Sequence, residues 1–269
     1  MMPTDLSALI GKYNRPGPRY TSYPTALQFT PVEDAEPLLR ECHAAASPLS
    51  LYVHLPFCES LCWFCACTTV ITCNRAQADA YLDALEREID LMLPHLRAEH
   101  RPVNQLHLGG GSPSFLSPAQ LRRLGHMLRS RFTFTPDAEC SAELDPRTLD
   151  PDKVAALAEF GFNRASIGVQ DIHPEVQKAI HRVQPDDMNR KAVGWIREAG
   201  IPGLNLDLVY GLPHQSVERF RATLDAVLTY RPDRFAVFSY AHVPWVAPAQ
   251  KILEKAGLPD PETKFRMLM

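Results

Sequence analysis

Cys58-Glu-Ser-Leu-Cys62-Trp-Phe-Cys65-Ala-Cys67 holds four of the chain's seven cysteines within ten residues. Thiolates packed this closely repel one another, and a shared cation relieves the repulsion. A metal ion or an iron–sulfur cluster supplies such a cation. The strand-like run Leu51-Tyr-Val-His-Leu55 leads into the stretch, and Pro56 and Phe57 interrupt it. The cysteines are therefore expected in a loop at the carboxyl end of a first strand, where α/β folds keep their chemistry. Two other readings compete. Spacings of four and three put Cys58, Cys62 and Cys65 on one face of a helix, as a buried apolar stripe. Cys67 would then face the opposite way, so a loop gathers all four and a helix does not. Structural zinc is the second rival. Zinc sites usually pair two cysteine knuckles from separate places, and Cys42, Cys73 and Cys140 form no second knuckle. Three ligands on a four-iron cluster would leave one iron open to a small molecule.

Working outward, β-rich runs at 51–55, 104–108, 138–143, 163–169, 204–209 and 234–240 alternate with amphipathic helical stretches. Over 78–96, Leu82, Leu85, Ile89, Met92 and Leu93 recur at helical spacing. Ser117 and Pro118 read as the N-cap and first residue of another helix. A third is expected over 186–199, closed by Gly200 and Pro202, and a fourth over 216–228. Six βα units in a row predict a parallel sheet, doubly wound or rolled into a barrel. Every strand ends in a polar or glycine-rich feature: the Gly109-Gly-Gly-Ser turn, Glu143, Gln170, Asp207 and Tyr240-Ala-His242 follow strands two to six. A barrel brings such ends to one rim, so the expected fold is an incomplete TIM-like (β/α)6 barrel. The expected organisation is an irregular N-terminal arm over 1–48, the partial barrel over 49–245, and the start of a C-terminal region over 246–269.

Composition narrows the function. The chain has 269 residues, 45% hydrophobic and 22% charged, with a net charge of −3. Nothing in that balance predicts nucleic-acid or membrane binding. No apolar run reaches spanning length, the first residues do not read as a secretion signal, and no fixed repeat appears. An odd number of cysteines, four of them crowded, fits a reducing cytoplasm. The arm carries Arg15 and Arg19 among prolines and tyrosines, either draped on the surface or gripping an anion over a site.

Cys-x-x-x-Cys-x-x-Cys with an aromatic before the third cysteine resembles the radical S-adenosylmethionine enzymes. The fuller run with Trp63, Phe64 and Cys67, and the arm Pro18-Arg-Tyr-Thr-Ser-Tyr-Pro-Thr25, resemble the oxygen-independent coproporphyrinogen III oxidases in particular. The resemblance implies a three-quarter barrel with a [4Fe–4S] cluster on Cys58, Cys62 and Cys65. It implies S-adenosyl-L-methionine, two molecules of it, contacted by Gly110, Gly111 and Ser112 of the glycine turn. Glu143, Gln170, Arg182, Asp207, Tyr52, Phe64, Cys67 and Ala241 match further contact positions. The implied reaction cleaves the sulfonium reductively. The 5′-deoxyadenosyl radical then takes hydrogen from two propionates of coproporphyrinogen III, which become vinyl groups. An electron-donor protein and a monomeric state go with it. A haem-binding chaperone on the same scaffold is the alternative, but that group carries another residue where this chain has Cys67. The family's proteins continue well beyond residue 269, so a C-terminally truncated product of low turnover is expected.

Overall fold

The computed structural model describes residues 28–269, together with Ala8, Ile10 and Lys12. Arg15, Arg19 and the tyrosine-rich part of the arm lie outside the described residues. Six strands form one sheet: β1 Leu49–Leu55, β2 Val103–Gly110, β3 Phe134–Leu144, β4 Arg164–Gln170, β5 Gly203–Tyr210 and β6 Arg234–Ser239. They pair strictly in sequence order, and every pairing is parallel. A doubly wound sheet reverses its strand order at a switch point. This one never reverses, which decides for the open, barrel-like curl.

The helices are α1 Glu36–Ala44, α2 Ala76–Leu96, α3 Pro118–Arg131, α4 Pro151–Glu159, α5 Pro174–Ala179, α6 Asp186–Glu198, α7 Val217–Leu228, α8 Lys251–Lys255 and α9 Pro261–Leu268, most of them on the outer face, with Val176 of α5 and Leu253 of α8 in a separate cluster beside Trp63 and Phe64. Local chemistry explains their bounds. The Ser117 hydroxyl accepts from the Gln120 amide while the Gln120 side chain accepts from the Ser117 amide, a complete capping box. At the starts of α4 and α7 the Asp150 and Ser216 side chains accept from the amides of Lys153 and Arg219, without the reciprocal bond. Gly200, at φ +77°, ends the last turn after α6.

One expectation fails in part. The segment to residue 48 reads as irregular, yet α1 forms within it. Its end and the chain leading to β1 are held by Arg101, whose guanidinium donates to the carbonyls of Cys42, Leu96 and Ser47. That tie spans more than fifty residues and leaves no local pattern.

Alternation along the strands divides apolar from polar. In β5, Leu204, Leu206 and Leu208 are fully buried against the helices. Asn205, Asp207 and Val209 face the lumen. Each such leucine contributes about 1.5–3 kcal/mol by burial, so the core lies between sheet and helices. Inside the curl, Glu139, Ser141, Arg164, Ser166 and Asn205 replace the branched apolar layers that fill a closed barrel.

Candidate active site

The cysteine loop begins where β1 stops. Phe57–Cys58 pairs with Val70–Ile71 in a two-residue parallel ladder, closing the loop on itself. The glycine turn after β2 then pins it: the Gly111 amide donates to Leu55 O at 2.8 Å and the Ser112 amide to Phe57 O at 2.9 Å. A Cβ at Gly111 would stand 2.5 Å from Pro56 O, so only glycine allows this approach. Both amides are thereby committed. What the turn still offers a ligand is carbonyl oxygen, an acceptor suited to an ammonium group.

Cys58, Cys62 and Cys65 line one cavity of about 170 Å³ with Gly110, Gly111, Ser112 and Arg182. Among the described residues, no three His, Cys, Asp or Glu side chains converge as they would on one ion. A cluster does not require that, because each thiolate binds a different iron. No disulfide joins any of the seven cysteines. Burial, then the neighbouring Cys62 and Asp145, push the Cys58 thiol up to about 11, against the pull of Arg182 and Arg147. The Cys65 thiol is also raised, by its hydrogen bond with Cys67 and then by burial. The crowding inferred from the spacing adds to burial here, so that without a cation Cys58 and Cys65 hold their protons.

Two guanidiniums face the loop. Arg147 Nη2 donates to Cys62 Sγ at 3.2 Å, and Arg182 Nη1 donates to the same sulfur at 3.4 Å. Asp145 lies between them, accepting from Arg147 at 2.6 Å and from Arg182 at 3.1 Å. Burial alone would raise its carboxyl, but Arg182 and Arg147 hold it down at about 2. The Nε of Arg182 is buried and has no partner among the described residues. Gly168 makes room here, since a Cβ would stand 2.6 Å from Gln170 Nε2 and 3.0 Å from Arg182 Nη2. Three sulfur donors around one cavity, flanked by cations, fit an anionic iron–sulfur cluster.

A second cavity, about 650 Å³, runs down the lumen and shares Phe64, Cys65, Cys67, Glu143, Gln170 and Asp207 with the first. Ala241 lines only this larger one. Glu143 is steadied by His107, whose Nε2 lies 3.2 Å from it and whose Nδ1 lies 2.7 Å from Ser141 Oγ. Ser166 and Asn205 donate to Asp207 at 2.9 and 2.7 Å. Burial pushes its carboxyl up to about 6, with Glu143 adding to the rise and Ser166, Asn205 and Arg182 opposing it. Gln170 sits at φ +66° at the end of β4, in the left-handed region that side chains seldom adopt. Of the residues expected to contact the cofactor, Tyr52 alone lines neither cavity. It stacks on His107, with ring centroids 5.8 Å apart.

Asp145 and Arg147 escaped the sequence reading. The signal was present, because they come one and three residues after the Ala-Glu-Leu run that ends β3 and so stand at the same rim as the cysteines.

The fold and the ring of thiols define a class, and the chain belongs to the radical SAM superfamily, whose profile it matches over residues 52–227. It is 46% identical over 262 residues to the oxygen-independent coproporphyrinogen III oxidase of Escherichia coli, which covers 97% of this chain and 57% of that protein. It is 45% identical over 267 residues to the enzyme of the same name from Pseudomonas aeruginosa, covering 97% and 57%. The solved structure of the radical SAM coproporphyrinogen III oxidase from Escherichia coli superposes with a TM-score of 0.89 at 45% identity, covering 97% of this chain and 58% of that one. The chain thus spans little more than half the length of the curated relatives it matches.

Proposed function

We propose that this chain carries the radical-generating part of an oxygen-independent coproporphyrinogen III oxidase. The reaction would convert two propionates of coproporphyrinogen III into vinyl groups, giving protoporphyrinogen IX in haem synthesis. The observation that carries the reading is the 46% identity over 97% of the chain to a protein of that name. The gathering of three thiols, a glycine turn and facing carboxylates at one rim supports it.

Cys58, Cys62 and Cys65 would hold the [4Fe–4S] cluster. With cluster and S-adenosylmethionine bound, the pair supplies reductive cleavage of the sulfonium and hydrogen abstraction from a propionate. The chain's own residues bind and orient. The carbonyls of Gly110 and Gly111 would accept from the cofactor's ammonium, and Arg182 would pair with its carboxylate. Glu143 and Asp207 would accept from ribose hydroxyls, with Gln170 completing the wall. Ser112 keeps its hydroxyl on Ser114, 2.7 Å away, and its amide on Phe57 O, and so would act by holding the turn in place. Phe64, Cys67 and Ala241 would shape the space where a second cofactor molecule and the substrate meet, and Tyr52 would act from the rim. Exclusion of water there is the protein's further share.

The partners that go with this reading are a tetrapyrrole and an electron-donor protein, with the chain monomeric. No helix among the described residues is long and apolar enough to cross a membrane. Seven cysteines without a disulfide suit a reducing compartment, and the cytoplasm is the proposed location.

The test is anaerobic reconstitution with iron and sulfide, followed by dithionite and S-adenosylmethionine. The expected result is about four irons per chain and release of 5′-deoxyadenosine, with both lost in Cys62→Ala. A folded protein that takes up zinc, or no cluster, refutes the reading. Added coproporphyrinogen III then tests the substrate, and haem binding without cofactor cleavage would favour the chaperone.

A further inference from the structure

We propose that Arg147, held in place by Asp145, is a positioning residue for the cluster: it acts through the Cys62 sulfur to favour the one-electron reduced state. The inference rests on the cluster assignment above and goes beyond it, since it names what sets the ease of reduction.

The geometry is built rather than incidental. Cys62 is the most enclosed of the three ligand thiols, 8% exposed. Its sulfur receives two guanidinium N–H groups, from Arg147 at 3.2 Å and Arg182 at 3.4 Å. Arg147 cannot swing away. Its Nε and Nη2 fork onto both oxygens of Asp145, and its backbone amide donates to the same carboxylate at 3.0 Å. Asp145 is fixed in turn, because its amide faces Ser112 Oγ at 3.2 Å and Ser114 Oγ at 3.1 Å. The side chains of Asp145, Arg147 and Arg182 are 12%, 17% and 8% exposed, so water screens them little.

The charges then decide the direction. Two guanidiniums and one carboxylate leave a net charge of +1 beside one ligand sulfur. Reduction adds one electron to the cluster, from its 2+ to its 1+ core, and makes the thiolate-bound assembly more negative. A low-potential one-electron donor supplies the electron, and no bond is made or broken. A nearby positive charge and N–H···S hydrogen bonds stabilise the more negative state, and both are recognised controls on cluster potential. Arg182 shares the sulfur but is also placed to meet S-adenosylmethionine, and its second nitrogen donates to Gly168 O at 2.8 Å. Among the described residues Arg147 bonds only Asp145 and the sulfur, so its effect is separable.

The experiment is a redox titration of the reconstituted 269-residue chain, followed by electron paramagnetic resonance without S-adenosylmethionine. Iron per chain and melting temperature are measured alongside. Arg147→Gln removes the charge and is expected to lower the equilibrium constant for reduction at least tenfold, about 59 mV for a one-electron couple. Arg147→Lys restores the charge and is expected to recover most of that loss. Arg122→Gln removes the same charge from the outer helical layer and is expected to leave the potential unmoved. A Gln variant that keeps its iron at the wild-type potential overturns the inference. So does loss of the cluster in both the Gln and the Lys variants, because the fork would then only brace the loop. A wild-type chain that takes up no cluster refutes the proposed function as well, whereas an unchanged potential refutes this inference alone.

Discussion

Replacing Asp207 with asparagine should stabilise the fold at neutral pH while weakening the site. The Asp207 carboxyl sits at about 6 in the folded chain against 3.8 as an isolated group. Between those values the native state binds more protons than the unfolded one, so stability falls as pH rises through the window. A difference of about two units corresponds to about 3 kcal/mol at 1.36 kcal/mol per unit. The lower level is reached above about pH 7, once the carboxylate is ionised in both states. Asparagine lacks this pH-dependent loss. Its carbonyl can accept from Asn205 and its amide can donate to Ser166 Oγ, so the constant offset is about 1 kcal/mol or less. The assay is urea unfolding of both proteins at intervals from pH 4 to pH 8. The advantage of Asp207→Asn is expected to grow by about 2–3 kcal/mol over that range, with the denaturant slope unchanged. S-adenosylmethionine binding at pH 8 should fall in the same variant. A stability difference that stays flat with pH would refute the reasoning, since it would mean that the lumen does not penalise the carboxylate.

Other expectations follow from local geometry. Gly168→Ala places a methyl against Gln170 and Arg182 and should weaken S-adenosylmethionine binding at least tenfold, with the melting temperature nearly unchanged, read by equilibrium binding to the reconstituted chain. Leu206→Ala empties a fully buried position between sheet and helices and should cost about 2–5 kcal/mol in urea unfolding. Ser117→Ala breaks the capping box of α3 and should cost about 1 kcal/mol, a small fall in melting temperature by circular dichroism. Arg101→Met leaves the carbonyls of Cys42, Leu96 and Ser47 without their donor and should cost about 1–3 kcal/mol, with hydrogen exchange faster around α1 than in β5.

Much of this was legible in the sequence, for physical reasons. The strands declare themselves because each must be apolar toward the helices, as with Leu204, Leu206 and Leu208. The start of α3 is legible because Ser117 and Pro118 do their work within one turn. The cysteine loop is legible because its cysteines are neighbours in the chain. What stayed hidden depends on meetings at long range. Nothing around Arg101 announces that it will hold α1. Nothing around Arg147 announces a sulfur 85 residues earlier. The division of the rim into a cysteine cavity and a lumen cavity comes from the curl of the sheet, and the strained backbone at Gln170 falls where the β4–β5 register shifts. None of these has a periodicity or a spacing to read.

The strict order of the sheet also bears on how the chain is made. Each strand pairs with the one before it, so a chain emerging from the ribosome always offers the next strand a finished edge. The sheet can grow one unit at a time, without waiting for a distant partner. The rim cannot. Cys62 appears early, but the arginine that closes on it from the far side comes 120 residues later. Throughout that interval the three thiols lack their full complement of positive neighbours. Delivery of iron is therefore expected to follow synthesis of the fourth unit, after the sheet beneath the loop is already in place.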